Sequence, residues 1–75
     1  MVLAELIASV LDTAPEMVND DSGRSTLDVW DSLAHLNIIA AVEETYSVVF
    51  STAEMRSLTS VRALRASLAE RDIEA

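Results

Sequence analysis

Aliphatic side chains recur at three- and four-residue intervals through most of this chain, and chain-breaking residues hardly interrupt them. Its 75 residues include a single Gly and a single Pro, and half of the residues are apolar. Spacing of this kind lines one face of an α-helix, and the composition reads as compact rather than disordered. The prediction is an all-α fold within a single domain, 1–75. Three principal helices and one short helix form a small bundle, with a long loop between helices 1 and 2. A chain of this length is near the size at which one core barely suffices.

The elements follow from periodicity and punctuation. Leu3, Leu6, Ile7, Val10 and Leu11 form an apolar stripe on a first helix over 2–11, which Thr13-Ala14-Pro15 should stop because the residue before proline disfavours helical ψ. Residues 13–31 read as a long connection, with Asn19-Asp20-Asp21-Ser22-Gly23 as a turn signal. A short turn over 16–18 is expected there, with Met17, Val18, Leu27, Val29 and Trp30 pinning the loop to the core. A second helix should run from about Ser32 to Tyr46. Its Ile38, Ile39, Val42 and Tyr46 suit one buried face, whereas Leu33, Leu36 and Ala40 make a second stripe pointing elsewhere. Either that helix is enclosed on two sides, or Leu33 and Leu36 face a partner or ligand. After the apolar link Val48-Val49-Phe50, Ser51 and Glu54 have capping-box spacing for a short helix toward Ser57. Thr59 or Ser60 should cap a last helix over 61–71, with Val61, Leu64 and Leu68 inward and Arg62 and Arg65 outward. Residues 73–75 are expected to fray.

Composition excludes several classes of function. There is no Cys and only one His, so a disulfide framework, a thiolate metal site and a multi-histidine site are all ruled out. Any thiol chemistry must come from a cofactor. The net charge of −8 argues against nucleic acid as a partner, which needs clustered cations. The charge is uneven: residues 1–55 hold ten carboxylates against Arg24 alone, whereas 56–75 hold four arginines against three carboxylates. An acidic surface can aid solubility or steer the chain toward basic partners. The longest run without a charged residue is 32–42, far short of the roughly 20 residues of a membrane span. No basic leader precedes the first apolar run, which carries Glu5, so a cytoplasmic location is expected; a monomer is expected as well.

Chemistry concentrates at Trp30-Asp31-Ser32-Leu33, where the turn-rich segment meets the apolar helix. Backbone N–H groups in the first turn of a helix lack partners, and the macrodipole favours negative charge there. Ser32 stands where a tethered phosphate would be accommodated. It is also an ordinary candidate for an N-cap, although Asp31 suits that role equally well. His35, three residues on, superficially offers a base for a serine nucleophile. A bundle this small has little room for a pocket, and no glycine-rich elbow precedes the serine. His35 is therefore expected at the surface, beside the site.

Asp31-Ser32-Leu33, opening an apolar helix that ends in Glu43-Glu44 at mid-chain of an acidic helical domain, resembles the acyl carrier proteins. The resemblance covers essentially the whole chain. It implies that Ser32 carries covalent 4′-phosphopantetheine, derived from coenzyme A, on whose thiol acyl groups ride as thioesters. A phosphopantetheinyl transferase, with Mg²⁺ only in the transfer step, would attach the group, and Asp31 would take part in transferase recognition. Acyl-activating or acyl-transferring enzymes and synthases would then dock on the second helix, through Leu33, Leu36, His35, Asn37, Ala40, Glu43 and Glu44. The chain itself would be no enzyme.

Departures from the family pattern suggest a specialised carrier. Many fatty-acid carriers place acidic residues just after the serine, where this chain has Ala34, His35 and Asn37, and a small residue where it has Trp30. Fatty-acid, polyketide and other secondary-metabolite pathways all fit. An aminoacyl or peptidyl carrier shares the attachment chemistry, and an unmodified helical interaction module would use Ser32 only as a cap.

Overall fold

A computed structural model describes residues 2–75. Four α-helices follow in order: α1 (Val2–Leu11), α2 (Ser32–Tyr46), α3 (Thr52–Ser57) and α4 (Val61–Glu70). A 3₁₀ turn over Pro15–Met17 interrupts the connection between α1 and α2. Among the described residues the only sheet-like pairing is an isolated antiparallel bridge between Gly23 and Ser60. This is the expected all-α bundle, and α4 ends within a residue of the expected position.

Helix α1 packs against α2, α4 and the 3₁₀ turn. Leu3, Ile7 and Leu11 meet Ile38, Ile39 and Val42 of α2 and Val61, Leu64 and Leu68 of α4 in one core, closed by Trp30, Phe50 and Leu58 from the connections. Ala4 and Ala8 are buried, whereas Leu6 and Val10 sit at the core's rim. The two alanines permit close approach of α1, so its buried face is turned slightly from the stripe of larger side chains.

The starts of α2, α3 and α4 each have a side-chain cap. Asp31 caps α2 through a 2.8 Å bond from the Ala34 N–H to its Oδ1. Ser51 and Glu54 form the expected capping box on α3, and Ser60 caps α4. Helix α2 ends at Ser47, which adopts the left-handed conformation (φ 55°), and the Val48 N–H returns to the Glu43 carbonyl.

The long loop is held by α4 as well as by the apolar contacts of Val18, Leu27 and Trp30 with the core. The first N–H groups of α4, on Val61 and Arg62, donate to the carbonyls of Ser22 and Asp20, satisfying donors that a helix start leaves orphaned. The Arg62 and Arg65 side chains then pair with Asp21 and Asp20. Arg62 points outward as expected and pairs at the surface, whereas Arg65, expected outward, is half-buried against the loop. Val18 and Trp30 pin the loop as expected, but Met17 and Val29 are exposed. The 3₁₀ turn buries none of its residues, and the bulky Trp30 takes the inward position beside Val29. The C-terminal residues also differ from the expected fraying. Asp72 takes a left-handed turn (φ 60°), the Ile73 N–H bonds the Leu68 carbonyl, and Arg65 Nη1 donates to the Ala75 carbonyl at 2.6 Å.

Candidate functional site

Helix α2 presents two unlike faces. Ile38, Ile39 and Val42 are buried, whereas Leu33 and Leu36 are 69 % and 58 % exposed. Asn37, Ala40 and Glu44 are exposed along the same ridge, because residues three and four apart share a helix face. The second apolar stripe therefore faces solvent and is not enclosed. Glu43 is half-buried, and its Oε2 accepts the Phe50 N–H at 2.9 Å. It holds the α2–α3 link, so the acidic end of the ridge rests on Glu44.

At the head of the ridge, capping falls to Asp31 and leaves the Ser32 hydroxyl outside the helix's own bonding. Ser32 is exposed, and its Oγ accepts a hydrogen bond from Arg24 Nη2 at 3.0 Å. Two good capping residues in succession thus divide the work: one closes the helix and the other presents a hydroxyl at its electropositive end.

Arg24 belongs to the site although the sequence pattern did not select it. The available signal was its isolation as the single cation in residues 1–55. Its backbone is anchored by an N–H bond to the Thr59 carbonyl at 3.0 Å. The neighbouring Gly23 passes so near the α3–α4 link that a Cβ there would lie 2.5 Å from the Thr59 oxygen. Glycine is required at this position for close approach of two backbones.

His35 is a correction. It is 6 % exposed, lies beneath the site, and presents little surface to a partner. Its Nε2 is 2.6 Å from the Met55 carbonyl, and a carbonyl only accepts, so Nε2 carries the proton. Nδ1 is then free to accept the indole N–H of Trp30, at 3.1 Å. The two rings also stack, with centroids 6.2 Å apart. All three ring nitrogens of this buried pair are satisfied, an arrangement that ties α2 to α3 and to the loop. With both ring nitrogens occupied, His35 offers Ser32 no base.

An open cleft of about 330 Å³ lies beside Ser32, walled by Arg24, Leu36, Thr52, Met55 and Arg56, with His35 at its base. Among the described residues no cluster of His, Asp or Glu suits a metal ion. Among the described residues no helix is long and apolar enough to cross a membrane.

The family model described as phosphopantetheine attachment site matches residues 2–68. The chain belongs to this family of carrier domains. It is similar to the solution structure of a holo acyl carrier protein from Geobacter metallireducens, at 28 % identity and a TM-score of 0.77, over 93 % of this chain and 79 % of that one. None of the curated proteins compared matches this chain. The protein is thus a carrier of the acyl-carrier type that takes a covalent 4′-phosphopantetheine group and works through other enzymes rather than as a catalyst.

Proposed function

We propose that the protein is a specialised acyl carrier whose 4′-phosphopantetheine is attached at Ser32. The observation that carries this reading is the uncapped, exposed Ser32 hydroxyl at the start of α2, bonded to Arg24 and opening on the cleft. The residues present fit the group. The site offers an accessible oxygen, a helix terminus and two arginines to balance a phosphodiester, and Leu36 and Met55 to contact an aliphatic arm. Five of the other eight serines suit it less well. Ser22 and Ser67 are buried, Ser51 and Ser60 cap helices, and Ser47 lies at the electronegative end of α2.

In the attachment step Ser32 Oγ acts as nucleophile. A bond forms from Oγ to phosphorus, the pyrophosphate link of coenzyme A breaks with the nucleotide portion leaving, and the hydroxyl proton passes to a base on the transferase. Asp31 holds the first turn of α2 through Ala34 and keeps its second carboxylate oxygen available to orient the transferase, whose Mg²⁺ acts only in this step. Once bound, the group supplies the thiol that carries acyl chains as thioesters. The protein's own contribution is then docking: Leu33, Leu36, Asn37, Ala40 and Glu44 form a mixed apolar and acidic ridge beside the attachment point. Such a surface suits weak, partly electrostatic contacts that release readily.

Departure from an acidic ridge, at Ala34 and Asn37, favours a dedicated polyketide, fatty-acid or other secondary pathway over general fatty-acid synthesis. Work as a cytoplasmic monomer completes the reading. Incubation with coenzyme A, Mg²⁺ and a promiscuous transferase, followed by intact-mass measurement, tests it. The wild type gains one phosphopantetheine and Ser32→Ala gains none; a wild type that stays unmodified contradicts the proposal.

A further inference from the structure

Three of the five arginines are paired within the chain: Arg62 with Asp21, Arg65 with Asp20 and Arg71 with Glu54. The remaining two, Arg24 and Arg56, form no ion pair among the described residues, and both line the cleft beside Ser32. In a chain of net charge −8, two unneutralised guanidinium groups beside one exposed hydroxyl form a local reversal of sign. We propose that Arg24 and Arg56 form a two-sided cradle for the phosphodiester. They hold the root of the arm in the cleft between α2 and α3, an inference that rests on attachment at Ser32.

The two walls differ in origin and in rigidity. Arg24 comes from the loop, where its backbone bond to Thr59 and the Gly23–Ser60 bridge fix its starting point. Its Nη2 already reaches Ser32 Oγ at 3.0 Å. When that oxygen becomes an ester, it is a poorer acceptor than the phosphate's non-bridging oxygens, and the planar fork of a guanidinium matches those oxygens. Arg56 comes from α3, one residue beyond Met55, whose carbonyl is held by His35. The bond that ties α3 to α2 therefore also fixes the second wall. Asp31 works against the cradle, since a carboxylate beside a phosphodiester is repulsive. The arginines offset this charge and allow the carboxylate to remain next to the serine.

The test is phosphorus NMR on holo protein, comparing wild type with Arg24→Gln, Arg56→Gln, the double variant and Arg24→Lys. Circular dichroism verifies folding and intact mass verifies loading. Both arginines are exposed, so the variants fold as the wild type does. The wild-type phosphorus signal is displaced and broadened relative to urea-unfolded holo protein, and high salt moves it back. Each single Gln variant loses part of the displacement and the double variant loses all of it. Arg24→Lys, which keeps the charge without the fork, retains an intermediate displacement. A double variant with the wild-type signal overturns the cradle while leaving attachment at Ser32 intact. A wild type that cannot be loaded, or a Ser32→Ala variant that can, overturns the attachment and the cradle with it.

Discussion

At the scale of single residues, Asp31 and Ser32 are neighbours with separable tasks. Asp31→Asn keeps a good N-cap and removes only the charge, so stability should stay within a few tenths of a kcal/mol while the rate of loading falls. Asp31→Ala also loses the cap, and should cost about 1 kcal/mol in urea unfolding. An Asn variant loaded at the wild-type rate removes Asp31 from transferase recognition. Tyr46 offers a contrasting test. Its hydroxyl is buried without a hydrogen-bond partner among the described residues. Burial raises its pKa, opposed by the nearby Arg65 charge. Because an unsatisfied buried hydroxyl is unfavourable, Tyr46→Phe should raise stability by about 1 kcal/mol, read as a higher unfolding midpoint; a loss of similar size would contradict this reading.

Among the elements, α3 depends most on side-chain hydrogen bonds. Glu54 accepts the Ser51 N–H of the capping box and a bond from Arg71, and these hold its carboxyl below the ordinary value of 4.5. The unfolded chain therefore binds the proton more readily than the folded one. The stability conferred by this group is present above about pH 4.5 and is lost as pH falls through the lowered value. Comparing unfolding midpoints across that range, wild type should lose stability more steeply on acidification than Glu54→Gln; parallel curves would contradict it. The loop element is tested at Gly23, where a Cβ meets Thr59 and Ser60 backbone. Gly23→Ala should destabilise by about 1–3 kcal/mol and also disturb the anchor of Arg24.

The same elements explain what the sequence made legible. Helices, caps and the core stripe followed from local periodicity and residue chemistry: Ser51–Glu54 and Ser60 are short-range signals with short-range outcomes. Leu33 and Leu36 stood off the buried stripe in the pattern, and they do so in space. The burial of His35 has no local signal, because it depends on Trp30 and on a carbonyl twenty residues away. The position of Arg24 is equally non-local: its place at Ser32 is set by Gly23 meeting Ser60 across the chain. Tertiary hydrogen bonds of this kind leave no period in a sequence.

For the whole molecule, the acidic chain with a basic cleft defines a carrier that other enzymes must approach with matching surfaces. Placing a charge on the exposed ridge, as in Leu36→Asp, should leave stability within about 0.5 kcal/mol. It should also weaken productive transfer to partner enzymes at least tenfold, measured as kcat/KM with the carrier as substrate. Unchanged transfer would move docking to another face. The central claim concerns one oxygen among nine serines. Fragmentation mass spectrometry of transferase-loaded, folded protein locates the added group directly. The account predicts phosphopantetheine on the fragment containing Ser32 and on no other; finding it on another serine, or on none, contradicts the account.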